Sequence, residues 1–156
     1  SGVKVFGMEN WWGNVWRRIA GWLYVNKVQK VKLTAGTKDG TTAAGYNFDG
    51  SGYNAIEEST PSGGSGSYIS GMKVEPFGRL PKNLSGSSST FESDAGWFSD
   101  SVNYACIGGF WGCDLLSGPF CSYLDIVPTS ANIHIGSALS CKPLATTQAV
   151  QEEETQ

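Results

Sequence analysis

The sequence predicts a turn-rich α+β domain with small antiparallel sheets and one or two short helices, and three observations lead there. Gly (21) and Pro (6) punctuate the 156 residues too often for long helices. Charged residues make up only 16%, which is low for a coiled coil or a helical bundle. An apolar fraction of 40% supplies one core of ordinary size and no second.

The elements follow along the chain. Residues 3 to 33 are its most apolar and most basic part. A short helix is expected around Met8 to Trp12, then strands near Val15 to Val25 and Val28 to Leu33, joined by an Asn26-Lys27 turn. Trp11, Trp12, Trp16 and Trp22 read as core aromatics, with a ligand platform as the alternative use of the same rings. Lys27, Lys30 and Lys32 have the spacing of a strand's solvent face. From 36 to 71, Gly, Ser, Thr and Asn dominate. Tyr46, Phe48, Tyr53, Tyr68 and Ile69 nevertheless recur often enough to predict packed irregular structure rather than a disordered linker. The clearest loops are Ser62-Gly63-Gly64-Ser65-Gly66-Ser67 and Leu84-Ser85-Gly86-Ser87-Ser88-Ser89. One domain is expected over residues 1–144, followed by a frayed acidic tail over 145–156.

A net charge of −3 argues against nucleic acid as the main partner, because phosphate binding needs a basic field. No segment approaches the roughly 20 consecutive apolar residues of a membrane span, so membrane insertion is not expected. The charge is also unevenly spread. Every Lys and Arg except Lys142 lies at or before Lys82. From Ser93 to Cys141, 49 residues, there is no Lys, Arg, Glu, Gln or Met. The other 107 residues hold 25 of these five types, a density that predicts about 11 in the depleted stretch.

All four cysteines, Cys106, Cys113, Cys121 and Cys141, fall in that stretch. Two disulfides, a zinc site or four separate thiols each use four cysteines. Spacings of 7, 8 and 20 contain no CxxC, and His134 has no second His or Cys at ligand spacing. Zinc is therefore disfavoured, and neither a metal nor a cofactor is expected.

Two segments carry a family likeness. Gly7-Met8-Glu9-Asn10-Trp11-Trp12-Gly13-Asn14-Val15-Trp16 resembles the Gly-Asn-Val-Trp signature of formylglycine-generating-enzyme-like domains, which have a C-type lectin fold. Ile107-Gly108-Gly109-Phe110-Trp111, Ser117-Gly118-Pro119-Phe120 and Ile135-Gly136-Ser137-Ala138-Leu139-Ser140 resemble the variable region of target proteins of diversity-generating retroelements. In that region a Gly-Gly-x-Trp core precedes Gly-x-Phe and closes with Ile-Gly-x-x-Leu. Together the segments span residues 3 to 143, the middle matching only in its Gly-Ser texture. The chain is most similar to the lectin-fold variable proteins of gut Bacteroidetes phages and prophages, which implies a C-type lectin fold.

The resemblance also implies a cause for the depletion. These retroelements substitute at adenines of a template, and the favoured Asn codon AAC mutates through NNC codons, which never encode Lys, Glu, Gln, Met or Trp. Arg is not explained in this way, since CGC is an NNC codon. Trp111 matches the fixed Trp of the family pattern. Laid over this chain, the pattern implies diversified, ligand-binding slots at Phe110, Gly112, Cys113, Leu116, Cys121, Tyr123, Asp125, Ile126, Ser130, Asn132 and His134. Cys106, Asp114 and Cys141 are uncertain members of that set. The fixed scaffold would be Gly108, Gly109, Trp111, Gly118, Phe120, Leu124, Ile135, Gly136 and Leu139. The cysteines are then chance draws, with a buried bonded pair of Cys113 and Cys121 as the alternative.

Random polar groups in a core would each cost roughly 1 to 3 kcal/mol, so fixed residues should face inward and slots outward. Period-two alternation puts Phe120 and Leu124 on one face and Cys121, Tyr123 and Asp125 on the other. Ser130, Asn132 and His134 likewise alternate with Ala131, Ile133 and Ile135. Phe110, Leu116, Tyr123, Ile126 and His134 would then form an exposed apolar patch beside Asp125, suited to a protein or glycan receptor on a cell surface. Replacing Tyr123 or Phe110 by Ala is expected to leave stability nearly unchanged.

The expected setting is a phage tail fibre or a bacterial surface, and the resemblance leaves homotrimerisation open. A calcium-independent, carbohydrate-binding lectin-like module is one alternative. Calcium-dependent binding is disfavoured, because Glu75-Pro76-Phe77 replaces the Glu-Pro-Asn type of motif and there is no Trp-Asn-Asp. A formylglycine-generating-enzyme-like enzyme is another alternative. However, the flanks of Cys113 and Cys121 do not match, and no acidic residue is placed to orient His134 for a triad. No catalytic residue is assigned.

Overall fold

The computed structural model describes residues 4–5, 8–9, 11–33, 45–57, 61–63, 66–89 and 94–136. β1 (Lys4–Val5) and β2 (Met8–Glu9) pair as an antiparallel hairpin. This replaces the helix expected around Met8 to Trp12. Between Gly7 and Gly13 there is too little chain to repay the cost of nucleating a helix.

β3 (Trp16–Val25) and β4 (Val28–Val31) are antiparallel, with Val25 opposite Val28. Asn26 and Lys27 between them have φ of 50° and 66°, as a two-residue type I′ turn requires. The predicted hairpin therefore forms where it was expected. The Gly-rich middle supplies β5 (Asn54–Ala55), β6 (Ser62–Gly63) and β7 (Ser67–Tyr68), so part of the first expected loop is strand. β8 (Gly71–Glu75) and β9 (Gly78–Leu84) form a hairpin whose turn is Pro76-Phe77. The charge-poor stretch contributes β10 (Ala95–Phe98), β11 (Asn103–Ile107), the 3-10 turn η1 (Asp114–Leu116), β12 (Ser122–Leu124) and β13 (Ile135–Gly136).

The α+β expectation, with its C-type lectin fold and small antiparallel sheets, is corrected by this architecture. Among the described residues no helix reaches seven residues, and η1 is the one helical element. The main sheet has eight strands in the order β5-β4-β3-β11-β12-β10-β7, with β13 also on β3. It is mixed, since β10 runs parallel to β12 and β13 parallel to β3. A three-stranded sheet, β6-β9-β8, is separate from it. The physical reason is local: over most of the described chain Gly or Ser recurs too often for a helical period, and the long stretch free of both, Trp22 to Leu33, is rich in β-branched and aromatic residues and broken by the Asn26-Lys27 turn, so it pairs as strands.

The two faces of the main sheet bury different clusters. On one face Tyr24, Ala105 and Leu124 pack with Ile19, Trp22 and Phe98. Trp22 also joins Val31, Ile56 and Leu80, which ties in the three-stranded sheet. Gln29 is fully buried there, donating to Pro81 O at 2.8 Å and accepting from Trp22 Nε1 at 3.1 Å. The opposite face carries Trp16, Leu23, Val25, Tyr104, Cys106, Cys113 and Cys121. No helix among the described residues is long and apolar enough to cross a membrane. Leu139, Cys141 and the tail over 145–156 lie outside the described residues.

Candidate ligand-binding cleft

The two segments that carry the family likeness meet in space. Gly13 N donates to Gly108 O at 2.8 Å, and Trp111 N donates to Asn14 O at 3.1 Å. Asn14 and Phe110 form a parallel bridge. Two residues on, Trp16 N donates to His134 O at 2.7 Å, and Trp16 pairs with Ile135. The 13–16 segment is thus held between the 108–111 and 134–136 segments by backbone bonds that do not depend on the side chains presented there.

Glycines make these approaches feasible. Gly109 has φ of +75°, and a Cβ on it would collide with the Ser117 side chain. A Cβ on Gly118 would collide with the carboxylate of the buried Asp94, whose Oδ2 accepts the Phe120 N–H at 2.7 Å. Asp94 therefore clamps the turn that leads from η1 into β12.

Above this frame lies a partly open cleft of about 350 Å³. Phe110, Gly112, Cys113, Leu116, Tyr123, Ile126, Asn132 and His134, eight of the eleven expected slots, line it together with Trp16, Trp97 and Ile135. Its wall is an arc of touching rings. Trp97 and Tyr123 have centroids 6.0 Å apart, Tyr123 and Trp16 5.0 Å, and Trp16 and Phe110 6.4 Å. Phe110 and His134 follow at 4.4 Å, and His134 and Trp111 at 5.4 Å.

The other three slots lie elsewhere. Cys121 is fully buried beneath the cleft and presents nothing to solvent, which corrects its assignment to the outer face. Asp125 is exposed and Ser130 half-buried, and neither lines the cleft. The cause of the Cys121 error is where the strand begins. β12 starts only at Ser122, so Phe120 and Cys121 belong to a turn, and period two does not reach them. Phe120 is accordingly 37% exposed, whereas Leu124 is buried as expected. The 130–134 segment is also irregular rather than a strand: Ile133, expected inside, is 86% exposed and His134 half-buried. Trp111, expected as scaffold, is 68% exposed at the edge of the ring arc.

Sequence reading missed Trp97 as a cleft residue, took Ile135 as scaffold alone, and gave Trp16 first as a core aromatic with a ligand platform as the alternative; Trp16 in fact does both, buried in the core and lining the cleft. A signal for Trp97 existed. It lies inside the charge-poor stretch and, like Trp111, is outside the NNC alphabet.

Among the described residues no Asp, Glu, Lys or Arg lines the cleft. Its polar groups are Asn132, whose Oδ1 accepts the His134 N–H at 3.0 Å, the Tyr123 hydroxyl, the Cys113 thiol and the His134 imidazole. His134 Nδ1 is buried and has no hydrogen-bond partner among the described residues. Burial, followed by the Asp125 carboxylate, raises the Tyr123 hydroxyl above its ordinary pKa. Cys106, Cys113 and Cys121 are free thiols, so Cys113 and Cys121 do not form the bonded pair. Burial pushes Cys106 up to about 12 and raises Cys113 and Cys121 as well. Among the described residues no group of three His, Cys, Asp or Glu could hold a metal ion.

Comparison with protein-family models, curated proteins and solved structures finds no match to this chain.

Proposed function

We propose that this chain is a hypervariable ligand-binding domain, diversified by a retroelement, that presents variable side chains on a stable β scaffold for attachment to a protein or glycan receptor. The observation that carries the reading is the convergence of eight sequence-derived slots on one cleft. A codon alphabet and a motif resemblance imply those slots, and neither carries information about where a cleft lies. Backbone bonds from Gly13, Asn14 and Trp16 hold the loops in place whatever side chains they carry. Such a domain acts on a phage tail fibre or at a bacterial surface. Buried thiols with raised pKa values are poor nucleophiles, which weighs against the enzyme alternative.

The test is a display library randomised with NNC codons at Gly112, Leu116, Asn132 and His134, set beside a second library at Ala105, Cys121 and Leu124. The reading expects most cleft clones to stay folded and to yield binders to unrelated proteins or glycans, while most core clones unfold. Equal loss of folded clones from both libraries would remove it.

A further inference from the structure

The wall of the cleft that carries Asn132 and His134 has no strand to hold it, since residues 125–134 are irregular. At its start Tyr104 N donates to Ile126 O at 3.3 Å, and at its end Trp16 N donates to His134 O at 2.7 Å. Between these two anchors the bonds are local. Ser130 N donates to Val127 O, Ile135 N to Asn132 O and His134 N to Asn132 Oδ1, each at 3.0 Å. Among the described residues, one hydrogen bond reaches 127–133 from a distant part of the chain: the Arg18 guanidinium donates to Ser130 O.

We propose that Arg18 is a positioning residue for the cleft: stacked on Tyr104, it clasps Ser130 O and so fixes the wall from which Asn132 and His134 meet a ligand. The inference rests on the reading of this cleft as the ligand-binding site. Arg18 stands two residues after Trp16 on β3 and directly opposite Cys106 on β11, so its side chain leaves the sheet on the face that carries the cleft. Its guanidinium lies 4.6 Å from the centroid of the buried Tyr104 ring, which sets the orientation of its N–H groups. A planar guanidinium can lie over a ring and donate from its edge at once, whereas the compact ammonium of a lysine does one or the other. The acceptor is a backbone carbonyl, so the clasp works whatever side chain stands at position 130. Arg18 also lies outside the charge-poor stretch, on the scaffold side of the proposed division. Without the clasp, the wall would have to be ordered each time a ligand binds, and that ordering is subtracted from affinity.

The experiment compares the full chain with its Arg18→Lys and Tyr104→Phe variants, the second of which keeps the ring beneath the guanidinium. Amide hydrogen exchange followed by NMR is expected to rise about fivefold or more at Ser130, His134 and Ile135 in Arg18→Lys. The amides of β11 and β12 should keep the parent's rates, and Tyr104→Phe should exchange like the parent throughout. The second readout is binding. A clone selected on immobilised lysozyme from the library randomised at Gly112, Leu116, Asn132 and His134 should bind lysozyme about fivefold or more weakly once Arg18→Lys is added, with its fold intact by circular dichroism. Parent-like exchange at residues 130–135, a rise spread evenly over the sheet, or undiminished lysozyme binding by the Lys variant overturns the proposal. If the library yields no binder, the reading of the cleft as a binding site fails, and the exchange comparison still decides whether Arg18 clasps its wall.

Discussion

Trp16 on β3 and Tyr123 on β12 stack with ring centroids 5.0 Å apart and planes inclined by 28°, although β11 lies between their strands. Cys106 on β11 stands directly opposite Tyr123, is fully buried, and belongs to the same cluster as Trp16. A small side chain at that position leaves room for the two rings to meet above the sheet. The floor of the cleft thus depends on a residue that does not touch it.

Enlarging Cys106 should consequently disturb both core and cleft. Cys106→Phe is expected to cost about 1 to 3 kcal/mol from overpacking and to shift the Trp16 indole signal. Urea unfolding and NMR would check this, and an unperturbed Trp16 would show that the rings do not rest over Cys106.

The surface role expected for Tyr123 needs revision, because its ring is half-buried against Trp16 and Trp97. Tyr123→Ala should lose about 2 kcal/mol of stability. Trp111→Ala, at a side chain 68% exposed, should stay within about 0.5 kcal/mol of the parent. Matching losses in denaturant melts of the two variants would contradict this placement.

The turn into β12 makes a separate prediction. Gly118→Ala forces a methyl group onto the Asp94 carboxylate and should cost about 1 to 3 kcal/mol. A parallel Gly112→Ala change meets only the outer edge of the Phe110 ring and should cost less. A Gly118→Ala midpoint equal to the parent's would mean that Asp94 does not clamp the turn.

Buried thiols give a pH signature. Their folded pKa values lie above the ordinary 9.0, so the stability they contribute is complete below about pH 9 and declines as pH rises toward the folded value, about 12 for Cys106. A Cys141→Ser variant should unfold at lower urea at pH 10 than at pH 8. At pH 8 its three remaining thiols should react with a disulfide reagent only slowly until denaturant is added. Immediate labelling of all three in the native protein would be inconsistent with their burial.

His134 offers a test in the opposite direction. Its Nδ1 is buried without a partner among the described residues, so His134→Phe should leave stability unchanged or raise it by up to about 1 kcal/mol. A clear loss would show that the nitrogen is satisfied in solution.

What the sequence made legible follows from what each signal measures. The β3–β4 hairpin was readable because alternating apolar residues flank a turn pair that tolerates positive φ. The glycines at 108, 109 and 118 were expected as scaffold from a motif resemblance, and a Cβ at each would meet neighbouring atoms at 3.1 Å or less. The fold class was not readable, because composition records turns but not how strands are ordered between them. The face of Cys121 was misread because period two was extended across a turn into residues that precede the strand. Trp16 and Trp97 joined the cleft through pairings between strands distant in sequence, which no local pattern encodes.

The central claim is that the cleft's side chains were generated by templated diversification on a fixed scaffold, and the DNA flanking this coding sequence tests it most directly. The account predicts a near-copy of the stretch encoding Cys106 to Cys141 beside a reverse-transcriptase gene, with differences confined to template adenines. Those differences should fall at the codons for Phe110, Gly112, Cys113, Leu116, Tyr123, Ile126, Asn132 and His134, and spare Leu124 and Gly118. A complete source genome without such a copy, or a copy whose differences fall on the buried scaffold, would contradict it.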